Sequence, residues 1–325
     1  MLVEAKIAYP APDQGLFYRD VVNGLSAYPK RLDAKYFYDA EGNLLFQRIM
    51  HSPEYYPTKC EMEIFVEQKS IIAAAVTLAG GAFDLIELGA GDATKSIHLL
   101  AELVTSGADF IYKPVAISGS MIKHLKDTLP REIPGLQMQG LEGEYLEMLR
   151  TEAESSSLRK VVLFLGSNIG NMDNRVALDF LKEVRAALNK GDLLLVGIDL
   201  VKDPDTIRAA YNDKAGITRQ FNLNLLKRIN RELQADFEVS AFKHFPTYDP
   251  LSGACKSYLV STRDQVVTIG AHQIEFKKHE AIDMEISQKF TPEQTRYMAY
   301  FSGFKPVQEF FDRQGWFLDG LWLAD

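Results

Sequence analysis

The sequence has few of the features that would place the chain in a membrane, on nucleic acid or in an oxidising compartment. Only two cysteines occur, Cys60 and Cys255, and their wide separation disfavours a disulfide framework and suits a reducing cytoplasm. No run approaches the ~18 apolar residues of a membrane span, and the first residues lack the apolar stretch of a signal peptide. The net charge of −8 disfavours nucleic acid and anionic lipid, since both require a dense basic face. We therefore expect a cytoplasmic protein with a small-molecule substrate and neither a nucleic-acid nor a membrane partner.

Several catalytic signatures are also missing. The six histidines show none of the close spacings that zinc sites use, so no metal site is predicted. No G-x-S-x-G segment is present, which disfavours a hydrolase.

The middle of the chain has the rhythm of an α/β protein. At 325 residues, of which 46% are hydrophobic, the chain is long enough for two domains or for one domain with a large insertion. Short apolar runs alternate with amphipathic segments between residues 83 and 200, which predicts a doubly wound, Rossmann-like parallel sheet. The predicted strands are 83–89, 110–117, 136–140, 161–166 and 192–200, and the predicted helices are 93–104, 118–128, 144–154 and 173–188.

After residue 200 the pattern changes to that of an α+β lobe. One long helical tract is predicted over 203–233, followed by strands at 254–262, 266–270 and 273–277. A capping box at Thr291 opens a helix, and 304–310 with 316–323 form a predicted hairpin. We assign 62–200 with 290–325 to a cofactor-binding sheet domain, and 1–61 with 201–289 to a substrate-binding lobe.

A glycine-containing turn follows the first predicted strand of the sheet. Gly89 and Gly91 allow a backbone to approach a ligand closely at the N-terminus of a helix. Two glycines are weak evidence by themselves, because a tight strand-helix turn also needs them. A dinucleotide fingerprint requires a third glycine where Thr94 stands and an acid where Ala116 ends the second strand. NAD and FAD are therefore disfavoured, whereas S-adenosylmethionine enzymes tolerate this looser turn.

A set of longer motifs, in order over nearly the whole chain, resembles one family closely. These motifs are Tyr36–Gly42, Pro53–Thr58, Glu87–Gly91 with Lys95, Phe164–Asn171, Asp199–Pro204 with Ala210-Tyr211, Phe221-Asn222 and Glu285–Phe290. The family is the histidine Nα-methyltransferases of ergothioneine biosynthesis, which trimethylate histidine to hercynine. The resemblance implies a methyltransferase that uses S-adenosylmethionine. Related members act on other amino acids or indole amines.

For the methyl donor, the resemblance implies a site at the glycine turn. Gly89, Gly91 and Lys95 correspond to residues at the methionine part of the cofactor, with Lys95 as a cationic partner for its carboxylate. An acid and an aromatic residue that hold the adenine correspond to Glu144-Tyr145. The chain departs from the family at Ala116, where relatives have an aspartate that accepts from the ribose hydroxyls. Losing that acceptor costs ~1–3 kcal/mol if the hydroxyls stay poorly paired.

For the amino acid, the resemblance implies a second group of residues. The expected catalytic residues, which orient the amine, are Asn171 and Tyr38. Asn171 and Gly166 are also assigned to the amino and carboxylate end of the substrate, and Tyr211 to its carboxylate. Tyr55, Glu285 and Ser287 are assigned to the imidazole. Ser257 stands where relatives have a methionine beside the ring.

Plainer interpretations exist for several of these residues. Tyr55 fits a packing role in a loop, Asn171 a turn cap, and Glu285 a solvent-facing strand position. Two other functions remain open from the sequence: methylation of a different amino acid or amine, and a non-catalytic relative with impaired binding of S-adenosylmethionine. A nicotinamide-dependent oxidoreductase ranks last, because Ala116 and the missing glycine oppose it.

Overall fold

The computed structural model describes residues 12–117 and 119–325, with side chains from residue 15 onward. Its α-helices are α1 Pro12–Ser26, α2 Ala40–Met50, α3 Tyr56–Glu67, α4 Lys69–Thr77, α5 Ser96–Thr105, α6 Gly119–Glu132, α7 Tyr145–Ser155, α8 Asn174–Ala186, α9 Pro204–Ala210, α10 Ile217–Leu233 and α11 Pro292–Phe301. Its strands are β1 Lys30–Arg31, β2 Phe83–Leu88, β3 Phe110–Ala116, β4 Leu141–Glu142, β5 Arg159–Phe164, β6 Leu193–Asp199, β7 Phe242–Asp249, β8 Ala254–Ser261, β9 Gln265–Ile269, β10 His272–Phe276, β11 Ala281–Gln288, β12 Phe304–Phe311 and β13 Phe317–Ala324. None of the described helices is both long and apolar enough to cross a membrane.

Residues Tyr56–Lys202 and Ser287–Asp325 form a compact unit around a seven-stranded sheet. The strand order is β12-β13-β6-β5-β2-β3-β4, with β2 parallel to both β3 and β5. The chain runs outward from β2 to β4 and then returns to β5 on the other side of β2. This reversal between β2 and β5 is the switch point at which doubly wound sheets bind ligands, beyond the carboxyl ends of the strands. The predicted α/β fold class is confirmed.

The central strands of this sheet could be predicted from the sequence because they are short, largely apolar segments. All residues of β2 and of β6 are buried, as expected for strands covered on both faces. The predicted capping box is present at Thr291, and the predicted C-terminal hairpin is β12–β13, which pairs antiparallel with β6.

The predicted third strand, 136–140, is wrong in its bounds. The backbone pairs there through a single bridge from Tyr112 to Met138, and the regular strand β4 spans only Leu141–Glu142. Pro114 on β3 explains the interruption, because it has no N–H to continue the ladder after the bond from the Tyr112 N–H to the Gln137 carbonyl.

The other unit comprises Met1–Tyr55, as far as it is described, and Asp203–Ile286. It contains a four-stranded sheet in the order β1-β11-β8-β7 and the β9–β10 hairpin. Its core is formed by α1, α2 and α10 against the sheet, through buried side chains that include Phe37, Phe221, Leu225 and Ile282. Strands β7 and β11 were not among the predicted elements.

The single helix predicted over 203–233 is also wrong, because the chain turns between α9 and α10. Asp213 accepts from the backbone N–H groups of Ile217 at 2.8 Å and Thr218 at 2.7 Å, and so begins a new helix. Gly216 takes a left-handed φ of 70° just before it.

The unit boundaries fall at 55/56, 202/203 and 286/287, whereas the sequence suggested 61/62, 200/201 and 289/290. The first differs because α3 is one continuous helix whose first residue, Tyr56, donates to Asp199 on β6 at 2.9 Å.

Candidate active site

The turn after β2 contains two glycines, one closely packed and one facing open space. Gly89 has a φ of +75°, and a Cβ there would lie 2.5 Å from the hydroxyl of Tyr145, so no other residue fits without a shift. Gly91 has a φ of +55°, and a Cβ there would meet no heavy atom within 4 Å. The turn therefore leaves space for a ligand at the carboxyl end of β2.

The turn after β5 lies next to it. Gly166 has a φ of +77°, and a Cβ there would lie 3.4 Å from Lys95 Nζ and 3.7 Å from Asn168 Nδ2. The same amide nitrogen of Asn168 is 3.6 Å from the corresponding position of Gly89. The structure thus brings together four residues that the sequence singled out, Gly89, Lys95, Tyr145 and Gly166. Asn168 joins them without having been predicted, although it stands within the Phe164–Asn171 motif.

Glu61, on α3, connects the two turns. Its side chain is buried, and one oxygen, Oε1, accepts from the backbone N–H of Gly166 at 2.7 Å. The other oxygen accepts a charged hydrogen bond from Lys95 Nζ. One carboxylate therefore holds residues from the ends of both strands at the switch point.

The charges around this carboxylate are unevenly paired. Burial is the largest influence on the pKa of Lys95 and lowers it, but the charge and hydrogen bond of Glu61 together with the charges of Asp319 and Glu87 outweigh burial, so the net shift is upward. Asp319 is fully buried and its two oxygens have no hydrogen-bond partner among the described residues. Burial, with the nearby charge of Glu61, raises the pKa of Asp319 well above its ordinary value. Gly197 leaves the room for both acids, since a Cβ there would lie 3.1 Å from Asp319 Oδ1 and against Glu61.

A third buried acid, Glu87, stands two residues before Gly89. Burial raises its pKa to about 7, although Tyr112 donates to it at 2.6 Å. The folded protein therefore keeps a proton that the unfolded chain releases above pH 4.5. The contribution of this group to stability is present below that pH and is lost as the pH rises to about 7.

We expect Glu87→Gln to flatten the pH dependence of folding. At ~1.4 kcal/mol for each tenfold change, the wild type should lose up to about 3 kcal/mol of unfolding free energy across this range relative to the variant. Chemical denaturation at a series of pH values measures the difference, with Glu132→Gln on the exposed end of α6 as the control. Parallel pH profiles for wild type and Glu87→Gln would show that Glu87 does not retain the proton.

The ends of β3 and β4 hold the residues assigned to the rest of the cofactor. Ala116 is half-buried, and its carbonyl accepts from the Gly143 N–H at 3.1 Å. Glu144 occupies the N-cap position of α7 but its side chain is exposed and does not cap the helix. The Tyr145 ring packs edge-on against Phe164 with 6.2 Å between centroids, and burial followed by the charge of Glu144 raises the pKa of its phenol.

Asn171 and Ser287 also belong to the sheet unit. Asn171 is exposed at the end of a 3-10 helix, Asn168–Asn171. Gly170 beside it packs on the backbone of Gln288, since a Cβ there would lie 2.8 Å from that carbonyl. Ser287 is buried and accepts from Lys289 Nζ at 2.7 Å. The turn that carries Asn171 is thus held against the end of β11.

In the other unit, the three predicted tyrosines join one aromatic cluster. Tyr38 packs edge-on against Phe46 and Phe221, with centroids 5.6 Å and 5.7 Å apart. Phe46 contacts Tyr55 at 6.5 Å, and Tyr55 contacts Tyr211 at 6.1 Å. Residues from three separate parts of the chain therefore meet on one aromatic surface, of which the Tyr38 ring is 45% exposed.

Glu285 is half-buried on β11 and has a defined orientation. Its Oε1 accepts from Asn222 Nδ2 at 3.3 Å, and the same amide also donates to the Thr218 carbonyl at 3.1 Å. Asn222 is fully buried and follows Phe221 of the aromatic cluster. Glu285 is thus a carboxylate positioned by a fixed amide, a contact that a solvent-facing position would not have.

Ser257 is buried on β8 in the same unit. Its Oγ lies 3.2 Å from His244 Nε2. Burial lowers the pKa of His244 to about 4, so this imidazole is neutral at physiological pH. Ser257 and His244 therefore form a neutral polar pair.

The fold and the two turns define a class. A doubly wound sheet with an open glycine turn at its switch point is the arrangement of a cofactor-dependent enzyme of the Rossmann-like type. Among the described residues, no group of three or more His, Cys, Asp or Glu is arranged to hold a metal ion.

Comparison with known proteins identifies the family. The chain belongs to the histidine-specific, S-adenosylmethionine-dependent methyltransferases, whose family model matches residues 17–324. The histidine N-alpha-methyltransferase of Mycobacterium tuberculosis is 36% identical over 308 residues, covering 94% of each chain. That of Mycolicibacterium smegmatis is 36% identical over 277 residues, covering 85% of this chain and 84% of the relative. Ergothioneine biosynthesis protein 1 of Neurospora crassa is 30% identical over 290 residues, covering 86% of this chain and 32% of the relative. The resemblance stated from the sequence is confirmed, and the protein is an S-adenosylmethionine-dependent methyltransferase.

Proposed function

We propose that this enzyme transfers methyl groups to the α-amino nitrogen of histidine and forms Nα,Nα,Nα-trimethylhistidine. Family membership over residues 17–324 supports the reaction class. The observation that carries the choice of substrate is Glu285, a half-buried carboxylate held by the amide of Asn222. A carboxylate in that setting accepts an N–H, and the imidazole ring of histidine offers one.

Recognition of the ring is assigned to residues of both chemical kinds, aromatic and polar. Tyr55, in the cluster with Phe46 and Tyr211, offers a ring edge or face to the imidazole. Glu285 accepts from one ring nitrogen. Ser287, whose hydroxyl oxygen accepts from Lys289, is assigned to the second nitrogen. Because a ring that donates at one nitrogen and accepts at the other is neutral, we expect the enzyme to select uncharged histidine side chains.

The amino and carboxylate end of the substrate is assigned to Asn171, Gly166 and Tyr211, with Tyr38 near the amine. Asn171 suits the amine because a neutral amide orients it without stabilising the ammonium form, as a carboxylate would. Its exposure at the end of a 3-10 helix leaves the amide accessible to a ligand. Tyr38, 45% exposed, is assigned to the passage of the amine proton toward solvent.

The residues around the glycine turns fit the methyl donor. Gly91 leaves open space, Lys95 offers a cation for a carboxylate, and Tyr145 offers an aromatic surface for the adenine. Bound S-adenosylmethionine would supply a methyl group on a positively charged sulfur, and loss of that methyl to an amine nitrogen would leave neutral S-adenosylhomocysteine.

The protein contributes positioning, and each methylation releases one proton. A peptide α-amino group titrates near ~8, and the carboxylate of a free amino acid raises that pKa, so only a minor fraction of the substrate amine is neutral and the site must bind it without favouring the ammonium form. Orientation by Asn171 is therefore the main catalytic requirement placed on the chain. In each round the ammonium form of the amine loses its proton through Tyr38 or water before the transfer, since only the neutral nitrogen can accept the methyl group.

A methylation assay with mass spectrometry tests the proposal. The purified enzyme is incubated with S-adenosylmethionine and one amino acid in each reaction. The amino acids are histidine, tryptophan and each of the other common ones. We expect a product heavier by three methyl groups from histidine alone, with one equivalent of S-adenosylhomocysteine formed for each methyl transferred. Methylation of tryptophan or another amino acid in preference to histidine would transfer the proposal to that substrate, and no methylation of any amino acid would refute it.

A further inference from the structure

The register of β3 and β4 places an acid beside the position where this chain lacks one. Ala116, the last residue of β3, is paired with Glu142, the last residue of β4. Residues paired across parallel strands point to the same face of a sheet, and neighbouring strands are only ~4.8 Å apart. A glutamate side chain at 142 can therefore bring its carboxylate to the space beyond Ala116.

The position of that carboxylate is given by Gly119, the first residue of α6. An ideal Cβ at Gly119 would lie 2.5 Å from Oε2 and 2.9 Å from Cδ of Glu142, so the absent side chain makes room for the acid. Glu142 as a residue is exposed, which leaves the carboxylate accessible from solvent. The carboxylate thus lies at the carboxyl edge of the sheet, beside the strand end of Ala116.

The chemistry required at this place is acceptance from two hydroxyls. In doubly wound folds an acid near the end of the second strand accepts from the ribose of the bound cofactor. Here that strand is β3, and its last residue has only a methyl group. Glu144 is the next acid along the chain, at the N-cap position of α7. It lies two residues beyond Glu142, so it is not the residue paired with Ala116.

We propose that Glu142 accepts from the ribose hydroxyls of S-adenosylmethionine, the role that doubly wound folds give to an acid at the end of the strand that ends here at Ala116. The inference depends on S-adenosylmethionine as the methyl donor and is independent of the amino acid substrate. In this enzyme the acid that binds the ribose of the methyl donor would therefore come from β4 instead of β3.

Calorimetric titration with S-adenosylhomocysteine and with its 2′-deoxyribose analogue tests the proposal without any methyl transfer. We expect Glu142→Ala to weaken binding of S-adenosylhomocysteine by about 10- to 100-fold and to leave binding of the deoxy analogue nearly unchanged. Glu142→Gln, which keeps the shape of the side chain, should show most of the same loss. The double variant Ala116→Asp with Glu142→Ala should recover affinity to within about threefold of wild type. Glu147→Gln, an exposed acid in the first turn of α7, is the matched control.

The outcomes separate three cases. Loss of the preference for the ribose form in Glu142→Ala, with recovery in the double variant, supports the proposal. If Glu142→Ala keeps the wild-type preference, or lowers only the melting temperature of the unliganded protein, Glu142 is a structural partner of the α6 N-terminus and the proposal is overturned. A wild type that binds neither ligand would overturn it together with the assignment of the methyl donor.

Discussion

Lys95→Met should lower the free energy of unfolding by about 3–5 kcal/mol near neutral pH and abolish binding of S-adenosylhomocysteine. The ammonium is the partner of a buried carboxylate, Glu61, and a second buried acid, Asp319, adds to its stabilisation of the cationic form. Removing the cation leaves these two acids together in the interior with nothing to balance an ionised carboxylate. The expected loss of unfolding free energy equals the cost of one uncompensated buried charge. Chemical denaturation of the unliganded protein measures this loss.

The pH dependence of this loss identifies its cause. In Lys95→Met the folded protein can avoid the bare charge only by binding, at the buried acids, a proton that the unfolded chain releases. Since the folded form then binds more protons, its stability relative to wild type falls as the pH rises and recovers as the pH is lowered.

Two further variants separate the role of Lys95 in folding from its role in binding. Lys95→Met with Glu61→Gln should recover most of the stability, because no buried charge remains, while binding stays lost for want of the cation. Lys123→Met breaks an exposed, solvent-screened pair with Asp127 and should leave the free energy of unfolding nearly unchanged. If the double variant regains binding as well as stability, Lys95 is a structural residue and its assignment to the methionine carboxylate is wrong.

The parts of the fold that could be predicted from the sequence are those set by local patterns. The strand before Gly89 is an unbroken buried run, and Thr291 with Gln294 forms a complete capping box. Neither depends on anything distant in the chain, so periodicity and propensity were sufficient. The family motifs extended this to the site, because they specify order and spacing over the whole chain.

The parts that could not be predicted arise where distant segments meet. In the sequence, Glu61 is indistinguishable from other acids on a helix. Only the folded structure shows that it accepts hydrogen bonds from the Gly166 N–H and from Lys95. Glu142 follows from the register of two strands, which the sequence misplaced because Pro114 interrupts their ladder. The prediction of one helix over 203–233 was wrong because the sequence does not show that the backbone N–H groups of Ile217 and Thr218 turn toward the Asp213 side chain and begin a new helix there.

Glu285→Gln is expected to reduce kcat/KM for histidine by about 10- to 100-fold, mainly through a higher KM. Asn222 donates to one carboxylate oxygen, which fixes the plane of the carboxylate. The imidazole N–H then donates to a carboxylate. In Glu285→Gln the amide oxygen is a weaker acceptor, and the amide NH2 group would repel the imidazole N–H. Steady-state methylation rates over a range of histidine concentrations measure the change.

The specificity of the effect is what tests the assignment of Glu285 to the imidazole. β-2-Thienylalanine has a similar ring without an N–H, so wild type should strongly prefer histidine over it and Glu285→Gln should lose most of that preference. Asn222→Ala should lower the preference to a lesser extent, since the carboxylate remains but is no longer oriented. Glu275→Gln, on the exposed face of β10, should leave both rates as in wild type. An unaltered preference in Glu285→Gln, with equal losses on both substrates, would instead mean that Glu285 stabilises the local fold and that ring recognition is carried by other residues.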